Sequence, residues 1–216
     1  MRAIIVAGGQ VNTNLDLPCC EQEWNLVIGA DGGAANALRL GLWPQVVIGD
    51  MDSLPDETRE TLEDHDCRFL VHPRAKDETD LELALSYTAK QDPDEILVLG
   101  ALGGRLDHTL ANILLLALPE LEGIPVRIVD GEQEARLVRS GETTCIQGRA
   151  GDLVSLLPIA GRVRGVSTAG LVWTLSVETL DLGLTRGVSN VMTTHEASIK
   201  IEEGLLLVLH GPPEKD

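Results

Sequence analysis

The chain has 216 residues, enough for one or two domains with a substantial core. Its 17 Lys and Arg stand against 34 Asp and Glu, a net charge of −17 that argues against nucleic acid and anionic membrane surfaces as partners. Aromatic residues make up only 2% of the chain, so the core is expected to be aliphatic, built from Leu, Val, Ile and Ala.

The amino terminus, "MRAIIVAGGQ", has an apolar run too short for a signal peptide. No stretch approaches the roughly 18 apolar residues of a membrane span, and the expected compartment is the cytoplasm. Cys19, Cys20, Cys67 and Cys145 form no C-x-x-C pair and suit neither a disulfide framework nor a zinc site. Up to residue 130, strand-like runs ("AIIVAGG", "NLVIGAD", "QVVIGD", "CRFLVHP", "EILVLGA", "PVRIVD") alternate with helical patterns ("GAANALRLGL", "ETRETLEDH", "ETDLELALSYTAKQ", "DHTLANILLLAL"). Short, continuously apolar strands separated by helices predict an α/β unit with a doubly wound, mostly parallel sheet covered on both faces. Thr79 followed three residues later by Glu82 reads as a capping box, which puts Asp80 in the first turn of its helix. Beyond Asp130 the pattern changes to short runs separated by Gly, Pro and polar turns, with no helical stretch. This predicts a boundary near 133, with an α/β domain over 1–133 and an all-β sandwich over 134–216. Within the second, "ASIKIEEGLLLVL" reads as a hairpin turning at Glu202 to Gly204.

The unusual polar residues fall just past the predicted strands. "VIGADGG" ends in Asp31, Gly32 and Gly33; "VVIGDMDS" ends in Asp50 and Asp52, which share a side wherever the chain stays extended. "FLVHPRAKDETD" supplies His72, Arg74, Lys76, Asp77 and Asp80, and "LVLGALGGRLDH" supplies Gly103, Gly104, Arg105, Asp107 and His108. Four loops thus gather Asp, Gly, Arg and Lys at the carboxyl ends of strands, the rim where open parallel sheets bind ligands. Glycines admit close backbone approach, helix amino termini offer N–H groups to anions, and Arg and Lys contact phosphate oxygens. Two carboxylates one residue apart repel unless a cation lies between them. Several aspartates suit Mg²⁺, which would reconcile them with a phosphate, so the set reads as a Mg-nucleotide site. The plainer alternatives are a solvated Asp-Ser turn at Asp50 to Ser53 and tight turns at the Gly-Gly pairs. G-x-x-x-x-G-K-[ST] is absent, so this is no P-loop site.

"GADGGAANAL", "P-x-x-V-I-G-D-M-D-S", "K-D-E-T-D-L-E-L-AL", "LGALGGRLDHTLANI" and "TRGVSN" occur in the order and approximate spacing of thiamin pyrophosphokinases, which the chain resembles over nearly its whole length. Met51 stands where many members carry phenylalanine. The resemblance implies a Rossmann-like domain and a β-sandwich, and transfer of a diphosphate group from ATP to the hydroxyl of thiamin with release of AMP. It further implies a homodimer whose active sites lie at the subunit interface. By the same likeness Asp50, Asp52 and Asp77 would hold Mg²⁺, while Asp31, Gly32, Gly33, Lys76, Gly103, Gly104 and Arg105 would line the ATP site. Asp80 and Asp107 would act near the metal or the thiamin aminopyrimidine, and Trp173, Ser189 and Asn190 would meet thiamin. Asp50, Asp52, Asp77, Arg105 and Asp107 form the implied catalytic set. Asp77 or Asp107 is the candidate base, with His108 as an alternative that could equally cap its helix. Trp173 could also be a core indole. Rival readings are the same transfer to a pterin-type alcohol, a non-catalytic nucleotide-binding regulator, and a Mg-dependent phosphohydrolase.

Overall fold

The computed structural model describes residues 1–11 and 23–213, and the chain divides into two units, Met1–Gly131 and Glu132–Asp216. The adjacent Cys19 and Cys20 lie outside the described residues.

The first unit alternates strands β1 (Arg2–Val6), β2 (Leu26–Ala30), β3 (Val46–Gly49), β4 (Arg68–Val71), β5 (Glu95–Leu99) and β6 (Val126–Asp130) with helices α1 (Gly33–Arg39), α2 (Asp56–Glu63), α3 (Asp80–Ala89) and α4 (Leu106–Leu114). Every pairing in this set is parallel, in the order β6-β5-β1-β2-β3-β4. All of β1 after Arg2 is buried, as a strand covered on both faces requires. Ile4, Val6, Val27, Leu97 and Leu99 share a core with Ala37 of α1, while Val47 packs with Ala34, Leu54 and Leu62. The start of α3 follows from its cap: the Thr79 Oγ1 accepts the Glu82 N–H at 3.2 Å. Strands β2, β3 and β4 run outward from one side of β1, and the chain then crosses back to lay β5 against its other side. Loops leaving β1 and β5 therefore diverge, which opens a crevice at the carboxyl ends of those strands.

The second unit contains β7 (Gln133–Arg139), β8 (Thr143–Gln147), β9 (Leu153–Pro158), β10 (Val163–Ala169), β11 (Glu178–Leu180), β12 (Asn190–Val191), β13 (Glu196–Lys200) and β14 (Leu205–Gly211), with no helix among its described residues. Strands β12-β9-β14-β7 pair antiparallel, and β11-β10-β13-β8 form a separate antiparallel sheet. Both sets contribute to one aliphatic core, with Val138, Leu156 and Leu206 from the first and Ile146, Val166 and Ile199 from the second.

The expected hairpin at "ASIKIEEGLLLVL" does not form. Strand β13 pairs with β8 and β10, whereas β14 pairs with β7 and β9. The Glu202 and Glu203 N–H groups both donate to the Arg164 carbonyl, and the Gly204 N–H donates to the Ser140 Oγ. The turn is thus anchored to other segments and carries the chain from one sheet to the other. Alternation alone could not distinguish a return strand beside β13 from one in the facing sheet.

Candidate active site

A pocket of about 590 Å³ opens at the carboxyl ends of the parallel strands. It is lined by Gly8 and Gly9 after β1, Asp31 and Gly32 after β2, Asp50 and Ser53 after β3, Arg74, Lys76 and Asp80 around the start of α3, and Gly100 to Arg105 after β5. Close backbone approach builds it. A Cβ on Gly9 would come within 2.3 Å of the Gly100 carbonyl oxygen, and one on Gly33 within 2.0 Å of the Val6 carbonyl oxygen. Asn36 of α1 ties the helix to the β1 loop, its Nδ2 donating to the carbonyls of Ala7 and Gly9 at 2.9 and 2.8 Å. A Cβ on Gly49 would crowd both the Asp31 Cβ and the Asp80 carboxyl, so glycine there lets these two acids converge.

Carboxylate oxygens of Asp31, Asp50 and Asp52 lie within 4.8 Å of one another. Asp50 and Asp52 meet through a turn, not an extended strand. Met51 has a left-handed backbone (φ 65°), and the Asp52 N–H donates to the Asp50 Oδ1 at 3.1 Å. That N–H is the main cause holding the Asp50 carboxyl below its ordinary range, with Lys76 and Arg74 adding to it. Asp52 also binds the Arg74 guanidinium at 2.6 Å. Asp31 differs: burial pushes its pKa up, and its Oδ1 is buried without a hydrogen-bond partner. Lys76 donates to the Asp80 Oδ1 at 2.6 Å; burial opposes its charge, but Asp80, Asp50 and Asp31 outweigh burial and raise its pKa.

Asp77 is not in the acidic cluster. Its neighbour Lys76 turns inward to Asp80, and Asp77 is exposed. Arg105, Gly103 and Gly104 line the pocket, with both glycines in the left-handed region (φ 85° and 70°) over open space. Asp107 pairs with Arg105, its Oδ2 accepting from Nη2 at 2.6 Å and its Oδ1 from Nε at 3.2 Å. This contact is the main cause lowering the Asp107 pKa, since the guanidinium favours the ionised carboxylate. His108 lines the pocket, and its own backbone N–H, in the first turn of α4, donates to the Asp107 Oδ1 at 3.0 Å. Gly33 lies beneath the floor and shapes it. Gly8, Gly9, Ser53 and Asn112 are further lining residues outside the set expected from the sequence. The Gly-Gly that ends "AIIVAGG" carries the same strand-end signature as the other loops.

In the second unit, Trp173 is 61% exposed and is not a core indole. Asn190 is buried in β12, and its carboxamide bonds the Trp173 backbone. Ser189 adopts a left-handed backbone (φ 58°), its N–H donating to the Ser155 Oγ at 3.0 Å.

Residues 20–128 match the model of the thiamin pyrophosphokinase catalytic domain, and residues 143–206 match that of the thiamin pyrophosphokinase vitamin B1 binding domain. A thiamine pyrophosphokinase of Bacillus subtilis is 30% identical over 207 residues, covering 96% of this chain and 97% of its own. The chain belongs to the thiamin pyrophosphokinase family. A crystal structure of thiamine pyrophosphokinase from Bacillus subtilis superposes with a TM-score of 0.86 at 28% identity, covering 99% of this chain and all of that one. A thiamin pyrophosphokinase structure from Geobacillus thermodenitrificans gives 0.84 at 25% identity, covering 100% and 99%. As in those thiamin pyrophosphokinases, an α/β part precedes an all-β part along the whole length of the chain.

Proposed function

We propose that the strand-end pocket binds ATP together with Mg²⁺, and that the hydroxyl of thiamin attacks the β-phosphorus there to give thiamin diphosphate and AMP. Thiamin pyrophosphokinase activity follows from family membership; the assignment to this pocket and these residues is our own reading. The observation that carries it is the convergence of Asp31, Asp50 and Asp52 at the rim of a cavity also lined by Lys76 and Arg105.

The donor set fits the metal. Three carboxylates offer hard oxygen ligands, and a buried carboxylate oxygen without a hydrogen-bond partner suits one whose partner is a cation. Asp31, Asp50 and Asp52 would hold the ion, with Asp31 in the place the resemblance gave to Asp77. When bound, Mg²⁺ neutralises charge on the polyphosphate. Diphosphate transfer asks mainly for positioning and charge stabilisation. Lys76 and Arg105 supply cationic donors to phosphate oxygens, Asp80 holds Lys76 and Asp107 holds Arg105. The Gly103-Gly104 loop leaves room for close backbone approach. Trp173 offers the apolar wall that an aromatic ring pair needs, with the Asn190 carboxamide bonded to its backbone and Ser189 next to Asn190 in sequence.

We read the first unit as a Rossmann-like, doubly wound layer and the second as a β-sandwich that binds thiamin and contributes to a homodimer. The exposed leucines of α4 and the exposed Val172 and Trp173 support association with a second copy. The free thiols of Cys67 and Cys145 suit a reducing compartment such as the cytoplasm.

The test is AMP release from ATP on addition of thiamin and Mg²⁺, followed in a coupled assay. We expect AMP and thiamin diphosphate in equal amounts, loss of turnover with EDTA or in Asp50→Asn, and no release with a pterin-type hydroxymethyl alcohol. Equal turnover of the pterin alcohol, or undiminished turnover of Asp50→Asn at saturating Mg²⁺, would overturn the reading.

A further inference from the structure

We infer that Asn190 is a positioning residue that acts through Trp173, holding the exposed indole in place, and that it does not itself contact thiamin. The inference rests on the reading that Trp173 faces the thiamin ring pair. The Asn190 Oδ1 accepts both the Trp173 N–H at 3.0 Å and the Val191 N–H at 2.9 Å, and its Nδ2 donates to the Trp173 carbonyl at 2.7 Å. An amide side chain has two acceptor sites and two donor hydrogens. Three of those four are committed to the protein, and the residue is only 7% exposed. At most one N–H is left for anything else.

The surrounding backbone makes the same point. Residues 170 to 173 lie along residues 190 to 193 as a strap: the Val172 N–H donates to the Val191 carbonyl and the Thr193 N–H to the Gly170 carbonyl, each at 2.9 Å. Leu171 bridges Met192, and both are buried in the aliphatic core. Past the tryptophan, the Leu175 N–H donates to the Thr168 Oγ1 at 2.9 Å. Trp173 itself belongs to no strand, and its side chain is in solvent. Its backbone N–H and carbonyl would be loose but for the Asn190 amide. An exposed indole on a pinned backbone is an aromatic face set in advance, so a ligand ring meets it without first ordering the loop.

The experiment is a double-mutant cycle on Asn190→Ala and Trp173→Ala, read as the KM for thiamin and for ATP. Asn190→Ala releases the Trp173 backbone, so thiamin must order the loop as it binds, and the thiamin KM should rise about 10-fold with the ATP KM unchanged. Trp173→Ala should raise it at least as much, and the double variant no further than Trp173→Ala alone. In a Trp24→Phe, Trp43→Phe background, Trp173 is the sole emitter, and Asn190→Ala should lower its fluorescence anisotropy. Asn190→Asp keeps an acceptor for both N–H groups but sets an oxygen against the Trp173 carbonyl in place of the donor, so it should also raise the thiamin KM and lower the anisotropy; it carries the comparison where the alanine variant does not fold. A double variant whose KM rise equals the product of the single rises would overturn the inference, as would unchanged Trp173 anisotropy. If Trp173→Ala leaves the thiamin KM untouched, the placement of thiamin at Trp173 is wrong, and the anisotropy then decides the clamp by itself.

Discussion

Asp31 ends β2 in a left-handed backbone conformation (φ 46°), with its carboxyl near those of Asp50 and Asp80. Burial is the largest influence on it and raises its pKa; the Ser53 hydroxyl and the Gly32 N–H pull the other way, and the two acidic neighbours add to the rise. A carboxyl whose pKa rises on folding supports the fold while protonated and loses that support as pH climbs through the shifted value. Ionising Asp31 is therefore a cost to the metal-free protein, one that a bound cation offsets. Asp31→Asn should raise Tm in EDTA, by about 2–4 °C for each kcal/mol relieved, while AMP release falls by roughly 100-fold or more. Adding Mg²⁺ should raise Tm of the wild type and not of the variant. A variant that melts lower than the wild type in EDTA, or that still gains stability from Mg²⁺, would remove Asp31 from the metal site. Asp50 and Asp107 lie on the other side of this comparison, since hydrogen bonds to their ionised forms lower their pKa values.

The elements of the α/β unit were legible because the strands are short apolar runs, ended by Gly or Asp everywhere but at β4, where His72 and Pro73 follow, and each helix begins where the run's period changes. Thr79 and Glu82 marked the start of α3, and the structure has that cap. Asp50 and Asp52 were legible as a pair because they follow β3 directly. What sequence could not supply was which side chains turn inward once a loop leaves its strand: Lys76 faces the pocket and Asp77 does not, and Asp31 joins the acidic pair. Nor could it show that β13 and β14 lie in different sheets, because both positions ask for the same alternation. Close packing between elements was equally hidden. Gly33 opens α1, and its missing side chain lets the helix rest on the β1 backbone beside Val6. Gly33→Ala should lower Tm by roughly 6–12 °C, the effect of about 3 kcal/mol of overpacking, and should weaken ATP binding because the β1 loop and α1 shift together. Gly103→Ala is the contrast, since its Cβ would meet nothing and only its left-handed backbone is strained, so its Tm should fall by only about 2–4 °C, the effect of about 1 kcal/mol. Equal melting losses in the two variants would mean that the contact with Val6 does not limit the fold.

Over the whole molecule, the apolar surface is not fully accounted for by the two cores. Helix α4 buries none of its residues, and Leu106, Leu110 and Leu114, spaced four apart on one face, are 82%, 56% and 45% exposed. The second unit leaves Val172, Trp173, Leu182 and Leu184 similarly open. Covering a leucine or valine side chain contributes about 1.5–3 kcal/mol, so patches of this kind favour a partner, and a symmetric second copy is the commonest one. The residues proposed to hold the metal and the phosphates belong to one unit, while the exposed indole proposed to meet thiamin belongs to the other. Where each site draws its acidic rim from one subunit and its indole from the partner, two damaged subunits can complement each other. Equimolar Asp50→Asn and Trp173→Ala subunits, exchanged to equilibrium, form mixed dimers as about half of the population, each with one complete site. Assayed at thiamin well below the KM of Trp173→Ala, the mixture should then recover about a quarter of wild-type AMP release, where each parent alone gives almost none. Mixed dimers detected by native mass spectrometry without that recovery would place both halves of the site within a single chain.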